Sequence, residues 1–353
     1  MINILVTGGS GFIGSHLCKA LLQAGHLVIN VDNFDDFYDH RIKIKNTLES
    51  VGKDHISFEW SANKFKNLEA FSQFFDKKNY KFFIQDIRDQ EGLEQILEQN
   101  IIDIIIHLAA LAGVGPSIER PLEYEQVNIS GTMHLLELCK KYNIKKFIGA
   151  SSSSVYGNNE KVPFSEEDSV DRAISPYGAT KKCCEVIGHV YHYLYNIDVI
   201  MLRFFTVYGP GQRPDLAIHK FARLITEGQE IPFFGDGTTA RDYTYVDDIV
   251  EGIMGSLNYV MNHGEIYEII NLGNHQPITL NEMVGTLENA LKIKAKINLL
   301  PLPTGDVLTT YADISKAQRL IDFAPKTDFE QGICNFINWF REKDEKDNII
   351  HLT

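Results

Sequence analysis

The sequence predicts an α/β protein: a doubly wound parallel sheet followed by a smaller, turn-rich C-terminal domain. Apolar runs of strand length alternate with segments of helical periodicity through roughly the first two hundred residues. A glycine-rich turn joins the first strand to the first helix. Turns rich in Gly, Pro and Asn become frequent after Phe205, where we expect the architecture to change.

The elements alternate from the N-terminus onward. The predicted strands are Asn3 to Thr7, Leu27 to Asp32, Lys81 to Ile84, Ile101 to Leu108, Lys146 to Ala150 and Val199 to Phe205. The predicted helices are Gly14 to Ala24, Leu93 to Glu98, Tyr124 to Tyr142 and Tyr177 to Leu194. Continuous apolar strands fit a sheet that is covered on both faces. The segment Asp35 to Tyr80 has no clear period, so no element is predicted there.

The second domain is expected to be discontinuous. The helix-like segment Asp247 to Val260 and the strand-like segment Ile266 to Leu272 can return to the first sheet. We therefore expect a nucleotide-binding domain of residues 1–208 with 242–275. Residues 209–241 with 276–345 are expected to form a substrate-binding domain.

Composition excludes several classes of partner. The 353 residues include 34 basic and 47 acidic side chains, and the net charge of −13 disfavours a nucleic-acid or anionic membrane surface. The apolar run Met1 to Val6 is too short for a signal peptide. The run Ile101 to Gly115, broken by Asp103 and His107, is too short to span a membrane. The five cysteines have no paired spacing, which favours a reducing compartment, so we expect a cytoplasmic protein with no metal site.

The turn TGGSGFIG predicts a dinucleotide site. Its residues Gly8, Gly11 and Gly14 follow the first strand and open the first helix, where bare backbone can approach a pyrophosphate. Asp32 ends the second strand 18 residues after Gly14, where a carboxylate can accept hydrogen bonds from an adenosine ribose. Because this carboxylate would repel a 2′-phosphate, we expect NAD rather than NADP.

A tyrosine and a lysine at the start of a predicted helix suggest acid–base chemistry. Tyr177 and Lys181 are four residues apart, so their side chains share one helix face. A lysine cation one turn away favours the phenolate form of a tyrosine that acts as a base. The spacing alone is common on surface helices, but Ser152 adds a hydroxyl at a strand end, where parallel sheets open into ligand crevices.

These motifs together resemble the extended short-chain dehydrogenases/reductases, in their group of sugar-nucleotide epimerases and dehydratases. The resemblance covers nearly the whole chain. It rests on TGGSGFIG with Asp32, HLAA (His107 to Ala110), Asn128, SSSSVYG, Tyr177 with Lys181, LRFFTVYGP (Leu202 to Pro210) and RDYTYVDD (Arg241 to Asp248). It implies a Rossmann domain that binds NAD, a nucleotide-sugar substrate, and a homodimer paired through the helices Tyr124 to Tyr142 and Tyr177 to Leu194.

The resemblance also implies roles for individual residues. The implied catalytic residues are Ser152, Tyr177 and Lys181. The implied cofactor-binding residues are Gly8, Gly11, Phe12, Ile13, Gly14, Asp32, Asn33, Asp86, Ile87, Leu108, Ala109, Ala110, Asn128, Tyr177, Lys181, Phe204 and Val207. The implied substrate-binding residues are Ser152, Ser154, Thr206, Arg213, Phe234, Arg241 and Asp306. Arg241 would neutralise the substrate pyrophosphate, with a surface salt bridge as its alternative role, and Asp306 would hold the nucleoside.

The residues after the Ser152 hydroxyl bear on the type of reaction. Related dehydratases and decarboxylases have acidic residues there, whereas this chain has Ser153 and Ser154. A 4-epimerase needs only a base, a hydride acceptor and room for the intermediate to turn over. The segments DNFDDFYD (Asp32 to Asp39) and FFTVYGPGQRPD (Phe204 to Asp215) are similar to those of UDP-glucuronate 4-epimerases.

In that group Thr206 replaces the asparagine of galactose-type epimerases. Arg213 would bind the sugar carboxylate, helped by the hydroxyls of Thr206 and Ser154; pyrophosphate binding and a structural ion pair are the alternatives. Two departures stand out. Gln212 and Gly211 replace a glycine and a tryptophan, which we expect to alter the sugar pocket. About 20 residues are inserted between Asp39 and Lys81, which we expect to alter a rim or an interface.

We therefore expect a homodimeric, NAD-dependent epimerase that inverts C4 of a UDP-hexuronic acid and interconverts UDP-glucuronate and UDP-galacturonate. The alternative is a 4-epimerase of a neutral UDP-sugar, UDP-glucose or UDP-N-acetylglucosamine, in which Arg213 serves the phosphates. A dehydratase or decarboxylase would lack its acidic residue here. A non-catalytic dinucleotide-binding module would be expected to have lost the tyrosine, the lysine or the hydroxyl, and all three are present.

Overall fold

A computed structural model describes residues 1–56, 59–75, 78–302 and 307–347. In the described part of the chain the strands are β1 (Asn3–Thr7), β2 (Leu27–Asp32), β3 (Tyr80–Ile84), β4 (Ile104–His107), β5 (Lys146–Ser152), β6 (Asp198–Phe204), β7 (Thr206–Tyr208), β8 (Glu230–Phe234), β9 (Ala240–Tyr245), β10 (Tyr267–Leu272), β11 (Pro277–Thr279) and β12 (Lys296–Leu300). The largest sheet has seven strands in the order β10, β6, β5, β4, β1, β2, β3.

Helices alternate with these strands. They are α1 (Phe12–Gln23), α2 (His40–Ser50), α3 (Lys64–Ser72), α4 (Gln90–Glu98), α5 (Val114–Glu119), α6 (Pro121–Tyr124), α7 (Gly131–Lys141), α8 (Pro176–Tyr195), α9 (Ala217–Thr226), α10 (Val246–Asn262), α11 (Leu280–Leu291), α12 (Ser315–Ile321) and α13 (Phe329–Asp347). A π-helical turn (Glu125–Ser130) joins α6 to α7, and a 3₁₀ turn (Ser153–Tyr156) follows β5.

The large sheet is parallel throughout, and its order reverses at β1, which lies between β2 and β4. This confirms the doubly wound sheet that the sequence predicts. At such a reversal the carboxyl ends of the strands open into a crevice where ligands bind. β10 pairs with β6, so the strand predicted to return to the first sheet does so.

Most predicted elements differ from the structure by a few residues at their ends, and two differ by more. The strand expected from Ile101 to Leu108 is only β4, because the Asp103 carboxylate accepts a hydrogen bond from the Asn3 N–H at 2.7 Å and the chain enters the sheet after it. Ile101 itself is 81% exposed. The helix predicted from Tyr124 to Tyr142 is not one continuous α-helix, because the π-helical turn interrupts it.

The segment between β2 and β3 folds as α2 and α3. Phe34, Ile44, Leu48 and Phe71 are buried in a small apolar cluster of their own, on which Phe82 of β3 packs. The segment is therefore attached to the edge of the large sheet, and its helix α2 reaches the end of β2.

Two smaller sheets complete the described chain. In one, β9 lies between β11 and β7; in the other, β12 pairs with β8. Helices α9, α11 and α13 share a core with these strands, which includes Phe233, Leu287 and Phe336. The predicted bounds of the two domains stay a prediction. Within the described ranges, no helix has the length and apolar character that crossing a membrane requires.

Candidate functional site

A cavity of about 390 Å³ lies at the carboxyl edge of the large sheet, where the strand order reverses. Most of the site residues expected from the sequence line it. They are Gly8, Gly11, Phe12, Ile13, Gly14, Asp32, Asn33, Asp86, Ile87, Leu108, Ala109, Ala110, Ser152, Ser154, Tyr177, Lys181, Phe204, Thr206, Val207 and Arg213. The cavity therefore extends from the glycine-rich turn to the start of α8 and on to the loop after β7.

The turn between β1 and α1 forms one end of the cavity. A Cβ on Gly14 would lie 2.1 Å from the Gly8 carbonyl oxygen, so any larger residue would push the turn away from the helix. Gly11 precedes the first turn of α1, and no side chain caps that turn. Its N–H groups, at the positive end of the helix dipole, are available to an anion.

Asp32 ends β2 beside this turn and is 6% exposed. Its carboxylate accepts hydrogen bonds from the N–H groups of Ser10 at 3.2 Å and Phe34 at 2.8 Å. Lys43 of α2 is also buried, and its Nζ lies 3.8 Å from Asp32 Oδ1. The acid expected at the adenosine ribose thus lies at the cavity wall with a lysine beside it.

Asp86 and Asn33 form the adjoining rim. Asn33 donates a hydrogen bond to Asp86 at 2.8 Å, and the Arg88 guanidinium binds the same carboxylate with two hydrogen bonds. Burial acts to raise the pKa of Asp86, but the donors of Arg88 and Asn33 outweigh it and lower the pKa to about 2. The carboxylate is therefore charged at any physiological pH.

A buried polar chain supports the wall behind the cavity. His107 Nδ1 lies 2.7 Å from the Thr7 hydroxyl, and its Nε2 lies 3.0 Å from the Thr132 hydroxyl. Burial, and secondarily the charge of Lys181, lowers the pKa of His107 to about 3, so the ring is neutral.

Asn128, expected to lie along the cofactor, is only 1% exposed. Its Oδ1 accepts a hydrogen bond from the Leu111 N–H. Its Nδ2 donates to the Leu111 carbonyl and to the Thr180 hydroxyl. These partners use its hydrogen-bonding groups, so the structure places Asn128 behind the wall that Leu111 forms, and not on the cavity surface.

The expected catalytic residues meet where β5 ends and α8 begins. Ser175 caps α8, so Tyr177 lies in the first turn, and Lys181 Nζ donates to the Ala150 carbonyl at 2.7 Å. The Ser152 hydroxyl donates to the Ser154 hydroxyl at 3.2 Å. Lys181 is 4% exposed, which keeps its cation in a fixed place next to the end of β5.

A buried ion pair fixes α8 against the sheet. The Glu185 carboxylate accepts hydrogen bonds from Arg203 Nε and NH2 at 2.8 and 2.9 Å and from the Ser151 hydroxyl at 2.7 Å. Burial acts to raise the pKa of Glu185, but Arg203 and Ser151 hold it below its ordinary value. Because Glu185 is one turn beyond Lys181, this pair sets the helix relative to the strand that carries Ser152.

At the opposite end of the cavity, Arg213 is held on two sides. Its Nε and NH2 donate to the two oxygens of Asp215 at 2.9 and 2.7 Å. Its guanidinium carbon lies 4.8 Å from the centre of the Phe37 ring. Burial acts to lower the pKa of Arg213, but the Asp215 carboxylate raises it above its usual value. Arg213 therefore presents a fixed positive charge to the cavity.

Two of the expected substrate residues that the structure describes, Phe234 and Arg241, are not in this lining. Phe234 ends β8, and Arg241 of β9 donates a hydrogen bond to the carbonyl of Ala240 at 2.9 Å. Asp306 lies outside the described residues. Gln212, expected to alter the sugar pocket, is fully buried and accepts a hydrogen bond from the Gly209 N–H, so its side chain turns away from the cavity.

The segment between β2 and β3 contributes residues that the sequence reasoning missed. Phe37, Tyr38 and Lys43 all line the cavity. The Lys43 ammonium lies 5.0 Å from the centre of the Tyr38 ring. Of these three residues, only Lys43 lies in the stretch between Asp39 and Lys81 where about 20 residues are inserted. The expected effect of the insertion on a rim or an interface stays a prediction. An alternation of charged and aromatic residues directly after Asp32 was the available signal.

These groups fit a dinucleotide such as NAD. The uncapped first turn of α1 suits a pyrophosphate, and Asp32 suits a ribose with free hydroxyls. Phe204 and Val207 give the far part of the cavity an apolar wall beside Tyr177. In the described ranges, no group of three or more His, Cys, Asp or Glu side chains could hold a metal ion.

Comparisons with known proteins agree with this geometry. Residues 4–273 match the model of the NAD dependent epimerase/dehydratase family. A UDP-glucuronate 4-epimerase of Thermodesulfobacterium geofontis is 42% identical over 342 residues, which are 97% of each chain.

Solved structures are similar as well. The UDP-glucuronic acid 4-epimerase of Bacillus cereus, in complex with UDP-glucuronic acid and NAD, superposes with a TM-score of 0.83 at 35% identity, over 97% of this chain and 99% of that one. The UDP-glucose 4-epimerase of Thermotoga maritima, with UDP-glucose, has a TM-score of 0.80 at 32% identity over the same shares. The chain therefore belongs to the NAD dependent epimerase/dehydratase family.

Proposed function

We propose that this protein is an NAD-dependent isomerase that inverts C4 of UDP-glucuronate and gives UDP-galacturonate. One observation carries the choice of sugar: the partly buried, fixed cation of Arg213 lines the same cavity as Tyr177, and the hydroxyl-bearing Thr206 and Ser154 line it too. A carboxylate is the group on a sugar that such a cation binds most strongly. The names and bound ligands of the relatives support the same substrate.

The residues of the chain divide the chemistry among them. The Tyr177 phenolate removes the proton from O4, and the Ser152 hydroxyl shares a hydrogen bond with the same oxygen. Lys181 stabilises the phenolate with its positive charge. When bound, NAD⁺ supplies a reversible hydride acceptor for C4. No carboxylate follows Ser152, since Ser153 and Ser154 occupy those positions, so the residues favour epimerisation over dehydration.

Inversion requires the 4-keto sugar to turn over and take the hydride on its other face. That intermediate is a β-keto acid, which loses CO₂ readily when the bond from C5 to the carboxylate stands perpendicular to the carbonyl plane. Arg213, with hydroxyls of Thr206 and Ser154, would hold the carboxylate near that plane. The same contact discriminates against neutral sugars, which offer no negative charge to the edge of the guanidinium that Asp215 leaves open.

One observation favours a second candidate, a 4-epimerase of a neutral UDP-sugar. Arg213 already binds Asp215, so it does not lack an anion. In that candidate the pair is structural or serves the substrate phosphates. The similarity to a UDP-glucose 4-epimerase supports this second function.

Incubation with UDP-glucuronate and analysis of the product by NMR tests the proposal. Tyr177→Phe should keep its fold and bind NAD but lose about two to four orders of magnitude in kcat. Tyr259→Phe is the matched control, because Tyr259 lies on α10 and does not line the cavity. Near-normal turnover by Tyr177→Phe would contradict the assignment of the base.

Arg213→Ala distinguishes the two candidate substrates. For UDP-glucuronate, kcat/KM should fall by a factor that corresponds to a loss of about 2 to 4 kcal/mol of transition-state stabilisation. This is the range for removing one partner of a buried charged pair. UDP-glucose should lose much less. Equal losses on both sugars would favour the neutral-sugar epimerase.

We also propose that the enzyme is a cytoplasmic homodimer. Exposed apolar side chains recur on one face of α8 at Val186, Val190, Tyr193 and Leu194. Such a stripe on a surface helix is typical of a protein interface. All five cysteines are free, which supports a reducing compartment.

A further inference from the structure

The guanidinium of Arg213 has a single free edge. Asp215 binds the edge formed by Nε and NH2, and the Phe37 ring covers one face at 4.8 Å. The Arg213 side chain is 16% exposed, so little room remains for it to swing. The donors still available to a ligand are on NH1 and the outer side of NH2.

The Phe37 ring is itself held in place. The Arg120 guanidinium lies 5.6 Å from its centre, so two cations contact one aromatic ring. The Phe37 N–H donates to Asp35 at 2.9 Å, and the Asp35 N–H donates to Asn33 at 3.0 Å. The loop after β2 is thus anchored by its own hydrogen bonds, and it delivers a rigid ring to the sugar end of the cavity.

A planar cation on a fixed support has a defined direction. Two parallel hydrogen bonds to a carboxylate require the guanidinium and the carboxylate to lie in one plane. An arginine that could rotate would still attract the carboxylate but would not set its plane. The attraction between the face of an aromatic ring and a cation stabilises this orientation of the guanidinium.

We propose that Phe37 and Asp215 are positioning residues that aim Arg213, and that they thereby determine whether the 4-keto acid is epimerised or decarboxylated. This inference rests on the proposed function. Decarboxylation breaks the bond between C5 and the carboxylate carbon and releases CO₂. The bonding electron pair moves into the enolate of C4 and C5, and C5 then takes a proton. Return of the hydride to C4 gives a UDP-pentose, so the bound cofactor ends in its starting state.

The experiment compares Phe37→Leu and Asp215→Asn with the wild-type holoenzyme. UDP-glucuronate and UDP-glucose are each supplied, and NMR measures the epimer and the UDP-pentose. Both variants should lower kcat/KM for UDP-glucuronate about threefold to thirtyfold, the factor that corresponds to one cation–π contact or one charged hydrogen bond. The ratio of UDP-pentose to epimer should rise several-fold, while kcat/KM for UDP-glucose stays within about twofold.

The chain offers matched controls for both variants. Phe65 is 79% exposed and lies outside the cavity lining, so Phe65→Leu makes the same change away from the site. Asp39 and Arg41 are two residues apart, as Arg213 and Asp215 are. In both pairs the arginine donates from Nε and NH2 to the carboxylate. Asp39→Asn can still cap α2, so it tests the loss of such a pair elsewhere. Phe37→Tyr keeps the aromatic face and should restore the wild-type product ratio.

The failure of this inference differs from failure of the proposed function. If the wild-type enzyme does not epimerise UDP-glucuronate, both are wrong. If it does, an unchanged product ratio in both variants overturns the positioning role alone. Equal losses on the two sugars, or a Phe37→Tyr variant that behaves like Phe37→Leu, overturn it as well. Thermal unfolding of each variant identifies any loss of fold.

Discussion

The ion pair of Glu185 and Arg203 makes a strong prediction about stability, because both side chains are almost completely buried. Their exposed fractions are 0% and 1%. Four hydrogen bonds reach the carboxylate: two from Arg203, one from Ser151 and a longer one, at 3.4 Å, from the Lys182 ammonium. Arg203 NH1 also donates to the Tyr156 hydroxyl at 2.9 Å, so the arginine has charged and neutral partners but a single counter-charge.

Glu185→Gln keeps the size of the side chain and removes that counter-charge. A buried charge that loses its partner costs about 3 to 5 kcal/mol in the free energy of unfolding. The amide oxygen can retain one of the Arg203 hydrogen bonds, which favours the lower half of that range. The equilibrium constant for unfolding should then rise by roughly two to three orders of magnitude.

Urea unfolding followed by circular dichroism measures this change. The double variant Glu185→Leu with Arg203→Met should recover at least half of the loss, because it leaves no buried charge behind. Glu251→Gln is the matched control, since Glu251 pairs with Lys326 at 2.9 Å and both side chains are more than half exposed. Surface pairs contribute little, so its effect should be much smaller. A loss below about 1 kcal/mol for Glu185→Gln would refute this reasoning.

Three further predictions concern the cofactor, pH and assembly. Asp32→Ala should weaken NAD more than NADP, because it removes a ribose acceptor and the repulsion of a 2′-phosphate; isothermal titration with both cofactors would reveal an unchanged preference. The pKa of His107 is about 3 in the folded chain against an ordinary 6.5, so below pH 6.5 the unfolded chain binds a proton that the folded chain does not. Stability should therefore fall as the pH drops from 6.5 toward 3, by about 1.4 kcal/mol per unit, and His107→Gln should flatten urea midpoints measured between pH 6.5 and 5. An equally steep series would contradict the role of His107. Val190→Asp should shift sedimentation from dimer to monomer at micromolar concentration, and a wild-type monomer would contradict the dimer itself.

The large sheet could be predicted because its strands are buried on both faces. Runs such as Ile104 to Ile106 are apolar without alternation, and the glycine spacing after β1 is typical of a turn between a strand and a helix. The place of Tyr177 and Lys181 in the cavity followed from a helix start and a strand end that the topology brings together.

The loop after β2 could not be predicted in the same way. Phe37 and Lys43 reach the cavity because a cluster around Phe34 and Phe71 packs the segment between β2 and β3 against the sheet. Those contacts are between residues far apart in sequence, and no period reveals them. Asn128 shows a related difficulty, because an amide next to a cofactor and one that holds the wall behind it look alike in a sequence; its role along the cofactor stays a prediction.

The small sheet of β7, β9 and β11 has a consequence for motion during turnover. Only Phe205 separates β6 from β7, α10 begins directly after β9, and residues 273–276 join β10 to β11. A hinge needs a few residues that can absorb large backbone rotations, and here three short tethers would have to rotate together. The cavity walls that bear Thr206 and Ser152 are therefore coupled as one body. In the proposed reaction we therefore expect the sugar to make the large movement, by rotating about its phosphate linkage, while the cavity walls keep their shape.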